Sequence, residues 1–283
     1  SVSQIEFKEI HQNNIPLGGR LTHFLENWKL ITRDTNLLEN ISGYRIEFQA
    51  KPVQVNSKYQ IVLSKLERKI LNSEIEEMKS KQAVEFVQSQ TKDQFVSHLF
   101  VRPKKDGGMR PIFNLKSLNQ FVTYNHFKME GFQVVRNLIQ EGDWLCKVDL
   151  KDAYFCIPIH PDHRKFLRFI HEDQMLQYRS LPFGLASGPR LFTKIMKPVI
   201  ALLRRIGVRL VIYLDDILLL NQSQDGLQKD RDTLLWLLHN LGWLINWKKS
   251  VLDPSQHLEF LGLTIDSINC LLYTSDAADD SLR

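Results

Sequence analysis

The chain has 283 residues, 43% of them hydrophobic and 24% charged, with a formal net charge of +5 at pH 7. This composition is typical of a soluble globular protein with one large domain or two to three subdomains, and the positive charge permits a polyanionic partner. Three cysteines without CxxC spacing argue against a disulfide scaffold. With no apolar run of membrane-span length and no signal peptide, we predict an intracellular protein that is neither secreted nor membrane-bound.

The first 60 residues show little periodicity. Gly18-Gly19-Arg20 opens a segment in which Leu21, Phe24 and Trp28 have the spacing of a short amphipathic helix. We predict a structural role for this segment. Since the chain begins at Ser1 rather than Met, we also expect it to be part of a longer protein.

Apolar residues recur every three or four positions from Ile61 to about Gln90, which predicts helix. Ser73 followed by Glu76 has capping-box spacing, so we expect the helix to break and restart there. Downstream, Ser97–Arg102 and Met109–Leu115 are predicted strands of a hairpin with a basic, glycine-rich tip. Such a tip can bind a triphosphate through cations and backbone N–H groups, although a solvated loop is the alternative.

Trp144–Val148 is a predicted strand that leads directly to Asp149. A carboxylate at the end of an apolar strand is a common site location on an open sheet. Leu181-Pro182-Phe183-Gly184 is a predicted loop, and the helix that follows has Pro189 near its first turn. We interpret its apolar stripe as core.

Val208–Leu220 is almost wholly apolar except for Arg209 and the adjacent pair Asp215-Asp216. We interpret it as strand, tight turn, strand, with the two acids at the turn. Adjacent negative charges are unfavourable unless a cation lies between them, so the pair indicates a cation site; an acidic surface turn is the alternative.

A second amphipathic helix is predicted downstream, closed by Gly242 as its C′ residue. Trp243–Leu252 alternates like a strand, and Leu258–Asp266 is a predicted strand pair or bend around Gly262. From about Cys270 the β pattern gives way to Ser, Asp and Ala, and we predict that residues 267–283 are a non-native tail.

Asp149, Asp215 and Asp216 can meet on one sheet if a β–α–β arrangement brings the strand end beside the hairpin turn. Three clustered carboxylates repel one another unless divalent metal neutralises them, and Mg²⁺ prefers oxygen ligands. Two such ions about 4 Å apart serve in-line phosphoryl displacement. Together with the basic hairpin, this set predicts nucleotidyl transfer.

Several motifs resemble those of reverse transcriptases. Tyr213-Leu214-Asp215-Asp216 is similar to their YxDD box, and DLKDAYFCIPI (149–159) to their first catalytic motif. The other similar runs, in matching order, are KKDGGMRPIFNLKSLN, SLPFGLASGPRLF, NWKKS and EFLGLTID, over roughly residues 95–266. The GGRL…NW opening and VIYLDDILLL most resemble retrotransposons of the DIRS type, which pair this enzyme with a tyrosine recombinase.

The resemblance implies a site with two Mg²⁺ ions, Mn²⁺ being an alternative. Asp149 and Asp215 would bind both ions, with Asp216 assisting. The backbone carbonyl of Leu150 would add a ligand.

The resemblance also implies where the nucleotide binds. Lys104 or Lys105, with Arg110, would hold the triphosphate, and Lys249 or Lys248 would protonate the leaving pyrophosphate.

Tyr154 would be a steric gate whose ring excludes a 2′-hydroxyl, with Phe155 packing in the core instead; core packing of Tyr154 is the alternative. Phe183 stands where many retroviral enzymes carry Gln. The remaining residues assigned to the substrate site by position are Gly184, Tyr213 and Leu214.

The implied fold is α+β: a right-hand polymerase of fingers and palm, with an antiparallel palm sheet, packed helices and the thumb largely missing. The expected divisions are an N-terminal extension at 1–60, fingers at 61–125 and 157–180, and palm at 126–156 and 181–266. The expected partners are an RNA or DNA template with its primer, dNTPs, and RNase H and recombinase regions of a parent polyprotein.

The leading hypothesis is therefore an RNA-directed DNA polymerase. An RNA-templated RNA polymerase shares the palm, but Tyr154 argues against it. A degenerate palm kept only for nucleic-acid binding is a third reading, against which the three intact acids argue.

Overall fold

The computed structural model describes residues 1–55, 61–105 and 107–274. The helices within these residues are α1 Leu25–Trp28, α2 Thr35–Ser42, α3 Lys65–Ser80, α4 Lys116–Asn119, α5 Phe132–Leu138, α6 Gly188–Arg205 and α7 Gln224–Asn240. Short 3₁₀ turns lie at Val2–Gln4, Arg20–Phe24, Tyr154–Cys156 and Pro161–Phe166.

The strands are all paired in antiparallel sheets. They are β1 Val84–Phe86, β2 His98–Pro103, β3 Met109–Asn114, β4 Trp144–Asp149, β5 Arg168–His171, β6 Gln174–Tyr178, β7 Arg209–Tyr213, β8 Asp216–Asn221, β9 Val251–Ser255, β10 His257–Phe260, β11 Leu263–Asp266 and β12 Leu271–Thr274. Helices packed on antiparallel sheets confirm the α+β prediction.

A four-stranded central sheet has the order β7-β8-β4-β9. Strand β8 is buried on both faces, because Ile217 and Leu219 belong to the large core while Leu218 and Leu220 belong to a smaller core formed with α5, β10 and β11. Burial on two faces explains why the strand is continuously apolar from Ile217 to Leu220 instead of alternating. The central sheet therefore lies between two packed layers.

Two smaller sheets precede or interrupt the central one in sequence. Strands β2 and β3 form a hairpin, and β1, β6 and β5 form a three-stranded sheet in the order β1-β6-β5. Helix α3 packs along β1, β2 and β3. A third sheet, β10-β11-β12, follows the central sheet.

The predicted break in the first long helix is wrong. Helix α3 runs unbroken through Ser73, and its capping box lies at the start, where Ser64 Oγ accepts from Glu67 N (3.1 Å) and the Glu67 carboxylate accepts from Ser64 N (2.9 Å). Both Ser–x–x–Glu pairs have capping-box spacing, but only Ser64 has the extended backbone that an N-cap requires.

Two predictions near the end of the chain are also wrong. Trp243–Leu252 is not one strand, because β9 begins only at Val251 and the preceding residues form turns. The β pattern does not stop at Cys270 either, since Leu271–Thr274 pairs with β11. Residues 275–283 of the predicted tail lie outside the described residues. None of the helices in the described ranges has the length and apolar character needed to cross a lipid bilayer.

Candidate active site

The hairpin between β7 and β8 has a two-residue loop that differs from the predicted one. Tyr213 pairs with Asp216, so Leu214 and Asp215 form the loop and Asp216 is the first residue of β8. Leu214 has φ 51°, a left-handed conformation that costs a non-glycine residue roughly 1–2 kcal/mol. Strain of this kind is retained where the surrounding structure requires a particular geometry.

Asp149 lies beside this loop. It ends β4 and is the cross-strand partner of Asp216, and Leu150 N donates to the Asp215 carbonyl oxygen at 2.9 Å. Like charges directly opposite each other destabilise an antiparallel pair. The strand pairing therefore brings three carboxylates to one end of the central sheet.

The electrostatics of these carboxylates reflect burial and mutual repulsion. Burial, and then the charge of Asp149, raise the pKa of Asp215, while Lys249 acts in the opposite direction. Burial, a hydrogen bond with Asp149 and the charge of Asp215 raise the pKa of Asp216 to about 7. Asp215 and Asp216 are therefore harder to ionise than ordinary aspartates.

A loop that sequence reasoning undervalued holds the strand end at Asp149. Asn246 N donates to the Asp149 carbonyl (2.8 Å), and Asp149 N donates to Ser250 Oγ (2.9 Å). Lys151 N donates to the Leu244 carbonyl at 2.8 Å. In the run NWKKS the lysines were the residues that suggested chemistry, but Asn246 and Ser250 form the hydrogen bonds that hold the backbone of Asp149.

Lys249 lies in the same loop. Its side chain is exposed, and its backbone N donates to Asn246 Oδ1 at 3.2 Å. Its charge acts on Asp215, which places a cation near the acid cluster. Its role as proton donor stays a prediction.

The predicted gate residue Tyr154 is buried, with 6% of its surface exposed, and its ring stacks on Phe183 with centroids 4.8 Å apart. Burial, then the charges of Asp215 and Tyr213, raise its pKa. Phe155 packs in the core as expected, but the expectation that Tyr154 would not is wrong, because both rings are buried. Phe183 itself is 62% exposed, so it covers Tyr154 from the solvent side.

The loop carrying Phe183 is fixed by a residue that sequence reasoning missed. Asn119 Nδ2 donates to the Gly184 carbonyl and Asn119 Oδ1 accepts from Ala186 N, both at 2.8 Å. Gly184 has φ 95°, and a Cβ there would lie 3.3 Å from the Phe113 carbonyl oxygen. Asn119 ends the run KKDGGMRPIFNLKSLN, so only its polar character pointed to it.

The basic hairpin forms as predicted from β2 and β3. Arg102 and Arg110 are direct cross-strand partners, and both are exposed, as are Lys104 and Lys105. Two like charges in register favour a bound anion. The tip is closed by hydrogen bonds from Lys104 N to the Gly108 carbonyl (2.6 Å) and from Gly107 N to the Lys104 carbonyl (3.1 Å). Asp106 lies outside the described residues.

The basic hairpin and the segment after Asp149 both act electrostatically on Glu74 of α3. Burial raises the pKa of Glu74, and Lys104 and Asp152 both act on this carboxyl, in opposite directions. Asp152 also forms an ion pair with Lys81 at 3.0 Å. The segment that follows Asp149 is thus bonded to the end of α3, the helix that packs on both strands of the basic hairpin.

The donor set fits a hard divalent cation. Carboxylates and a backbone carbonyl are the ligands that Mg²⁺ prefers, and the raised pKa values of Asp215 and Asp216 show that positive charge would be stabilising there. Across residues 1–55, 61–105 and 107–274, however, no three Asp, Glu, His or Cys side chains already stand in a metal-ligating arrangement. The carboxylates are adjacent, and side-chain rotation would have to complete the ligand set.

Comparison with known proteins agrees with this geometry. The genome polyprotein of Petunia vein clearing virus (isolate Shepherd) is 28% identical over 157 residues, which are 56% of this chain and 7% of the polyprotein. The transposon Tf2-3 polyprotein of Schizosaccharomyces pombe is 28% identical over 163 residues, 58% of this chain and 12% of the polyprotein. The chain thus matches a small part of these long relatives.

The fold is similar to that of a foamy viral protease-reverse transcriptase solved in complex with dsDNA, with a TM-score of 0.67 and 17% identity, over 96% of this chain and 58% of that one. This likeness confirms the right-hand polymerase fold. Residues 102–265, more than half of the chain, match the family described as "Reverse transcriptase (RNA-dependent DNA polymerase)". That span contains the acid cluster, Tyr154 and most of the basic hairpin, and the chain belongs to the reverse transcriptase family.

Proposed function

We propose that this chain is an RNA-directed DNA polymerase domain of a retroelement polyprotein, which adds dNTPs to a primer on an RNA or DNA template. The observation that carries the proposal is the placement of Asp149, Asp215 and Asp216 at one end of the central sheet by the β4–β8 and β7–β8 pairings. The family match over residues 102–265 supports it.

Asp149, Asp215 and Asp216, with the Leu150 carbonyl, would hold two Mg²⁺ ions; Mn²⁺ is the alternative. When bound, the ions would lower the pKa of the primer hydroxyl and neutralise charge on the leaving pyrophosphate. The chain's own contribution is to fix the carboxylates. Backbone hydrogen bonds on both sides of Asp149 do this without using its side chain.

The basic hairpin would bind the triphosphate through Lys104, Lys105 and Arg110, with Arg102 adding charge. In this arrangement the repulsion between the paired arginines is relieved by the substrate. Lys249 would supply a proton to the leaving group from the side of Asp215.

The sugar and base of the incoming nucleotide would meet the Tyr154–Phe183 stack and the Gly184 loop, and Tyr213 and Leu214 would complete the substrate site. Because Tyr154 is held between Phe183 and Phe192, its ring cannot yield to a 2′-hydroxyl without disturbing the stack. This rigidity supports selection of dNTPs.

We further propose that the parent element is a retrotransposon of the DIRS type, with RNase H and recombinase regions elsewhere in its polyprotein, and that it acts inside the cell. The GGRL…NW and VIYLDDILLL runs support this assignment. The proposed divisions are an extension at 1–60, fingers at 61–125 and 157–180, and palm at 126–156 and 181–266.

Primer extension on an RNA template, with Mg²⁺ and either dNTPs or NTPs, tests the proposal. We expect dNTP incorporation, and we expect Asp215→Asn to lower it by roughly 10³-fold, since metal-assisted charge stabilisation amounts to several kcal/mol. The matched control is Asp253→Asn, the same change at an exposed residue of β9. Near-normal extension by Asp215→Asn, or a preference for NTPs, would contradict the proposal.

A further inference from the structure

The GGRL…NW run in the N-terminal segment makes specific contacts that the proposed chemistry does not use. Five of its residues, Gly18, Gly19, Arg20, Asn27 and Trp28, are here called the N-terminal clamp. Asn27 and Trp28 are completely buried, and Arg20 is 3% exposed. A buried guanidinium, amide and indole in one short segment need hydrogen-bond acceptors.

Those acceptors are three consecutive carbonyls at the end of α7. Asn27 Nδ2 donates to the Asn240 carbonyl (2.9 Å), Trp28 Nε1 to the Leu241 carbonyl (2.8 Å) and Arg20 Nε to the Gly242 carbonyl (2.7 Å). The last carbonyls of a helix lack intrahelical partners and carry partial negative charge. Three side-chain donors, one of them cationic, therefore cap this helix from more than 200 positions away in sequence.

The capped turn leads directly to the strand that ends at Asp149. The next residues, Trp243 to Asn246, include the Leu244 carbonyl, which accepts from Lys151 N, and Asn246 N, which donates to the Asp149 carbonyl, both at 2.8 Å. Only one residue, Trp243, lies between Gly242 and Leu244, whose carbonyl makes the first of these bonds. A shift of the α7 end would accordingly move the backbone on which Asp149 depends.

Gly18 and Gly19, at the other end of the N-terminal clamp, contact the turn that carries Tyr154 and the end of α3. Gly19 N donates to the Phe155 carbonyl (2.7 Å), next to Tyr154, and Gly18 N donates to the Lys81 carbonyl (2.8 Å) after α3. A Cβ on Gly18 would lie 2.1 Å from the Gln82 carbonyl oxygen, so this close approach requires glycine. The N-terminal clamp thus joins the loop that holds Asp149, the 3₁₀ turn at Tyr154–Cys156 and the end of α3.

We propose that the N-terminal clamp is a positioning element of the polymerase site, in which Arg20, Asn27 and Trp28 fix the α7 end and, through Leu244 and Asn246, the backbone at Asp149. This inference rests on the proposed function for its effect on catalysis. Its structural part, the coupling of Arg20 to the Asp149 backbone, is independent of that function. The simpler reading is a terminal segment that only covers the core.

The decisive comparison is Arg20→Lys with Arg168→Lys. Arg168, in β5, is 6% exposed, and its guanidinium likewise bonds neutral acceptors, the Gln177 and Gln94 side-chain oxygens at 3.0 and 2.6 Å. Lysine keeps the charge in both variants but loses the guanidinium fork. The two changes therefore match in chemistry and burial and differ in whether they touch the α7 end.

Hydrogen exchange at the Leu150, Lys151 and Asn246 amides gives a readout that needs no activity. We expect Arg20→Lys to speed this exchange roughly ten-fold and Arg168→Lys to leave it unchanged, because only the first loosens the hydrogen bonds around Asp149. In primer extension, Arg20→Lys should lower kcat roughly ten-fold or more with the dNTP KM nearly unchanged.

Unchanged exchange at these three amides in Arg20→Lys, at a thermal stability equal to that of Arg168→Lys, would overturn the proposal. So would equal kcat values in the two variants. If Arg20→Lys does not fold, Trp28→Phe, which removes the Leu241 hydrogen bond together with part of a buried ring, should give the same pattern. If the wild-type chain extends no primer, the proposed function fails, and the exchange comparison still decides whether the clamp positions Asp149.

Discussion

At the scale of single residues, Asp216 lies where its negative charge is least stabilised. It faces Asp149 across the β4–β8 pair and follows Asp215 directly, and its pKa is raised to about 7 by burial, by the bond with Asp149 and by the charge of Asp215. Ionising such a group lowers the stability of the folded state. A residue kept under these conditions serves a purpose other than stability.

We predict that Asp216→Asn stabilises the metal-free protein. An acid with a raised folded-state pKa loses stability as pH rises from its unfolded pKa near 3.9 to its folded pKa of about 7. The variant should gain on the order of 1 kcal/mol over wild type across that window, allowing for solvent screening of a half-buried group, and keep the gain at higher pH.

Urea unfolding in EDTA from pH 4 to pH 8 measures this gain, and added Mg²⁺ should reduce it by stabilising the wild type. A variant that is less stable than wild type at pH 8 in EDTA would show that repulsion among the three carboxylates does not destabilise the fold.

Tyr154 supports a second prediction at this scale. Tyr154→Ala should admit ribonucleotides, because it removes the ring that lies against Phe183 at the proposed sugar position. The ratio of kcat/KM for dNTP over NTP measures selectivity, and Phe155→Ala is the control, a neighbouring buried ring. Unchanged sugar selectivity in Tyr154→Ala would remove the gate assignment.

Site residues were predictable where chemistry is concentrated in side chains. Asp149, Asp215 and Asp216 stand out as acids within apolar runs, and their proximity follows once β4 and β8 pair. Asn119 and Ser250 act through backbone hydrogen bonds, and no local pattern separates such a residue from any other polar one. The burial of Tyr154 depends on its stacking with Phe183, and sequence spacing does not predict that contact.

At the scale of elements, prediction succeeded where burial sets a simple pattern. Strand β8 is apolar from Ile217 to Leu220 because both its faces are covered there, and Gly242 follows α7 with φ 95°, as expected for a C′ residue. Trp243–Leu252 alternates like a strand, but the Leu244 carbonyl and Asn246 N form hydrogen bonds with Lys151 and Asp149. Tertiary hydrogen bonds override the local preference there.

Trp28 and Trp243 provide a matched test of the cap on α7. Both indoles are buried and their rings meet edge to face at 6.4 Å, but only Trp28 Nε1 has a hydrogen-bond partner within the described part of the chain. Trp28→Phe should therefore destabilise the protein by about 1 kcal/mol more than Trp243→Phe, the worth of one buried hydrogen bond. Equal losses in urea unfolding would mean that the bond contributes no net stability.

At the scale of the whole molecule, the central sheet has two different ends. The acid cluster occupies one, and at the other Asp143 receives hydrogen bonds from Arg209, Gln222 and the backbone N of Gln140. Asp143 lies just before β4, and Arg209 begins β7. No sequence pattern pairs these two residues, because their partnership depends on the strand order of the sheet.

We predict that Asp143 makes the stability of the whole molecule acid-sensitive. Burial opposes its ionisation, but the bonds from Arg209, Gln140 and Gln222 outweigh burial and lower its pKa. A lowered folded-state pKa adds stability that is complete above the unfolded pKa near 3.9 and is lost as pH falls below it. Asp143→Asn should cost roughly 3–5 kcal/mol at pH 7, because it leaves the Arg209 charge without its partner.

Urea unfolding of wild type and Asp143→Asn from pH 7 to pH 3 measures both effects, and the two curves should converge toward the acid end. Asp93→Asn is the control, since Asp93 pairs with Lys165 in a more exposed position and its loss should change stability far less. Parallel curves that keep a constant separation down to pH 3 would show that the Asn variant is destabilised by packing and not by the missing charge. Convergence would show that protonation of Asp143, at the end of the central sheet opposite the acid cluster, makes the fold acid-sensitive.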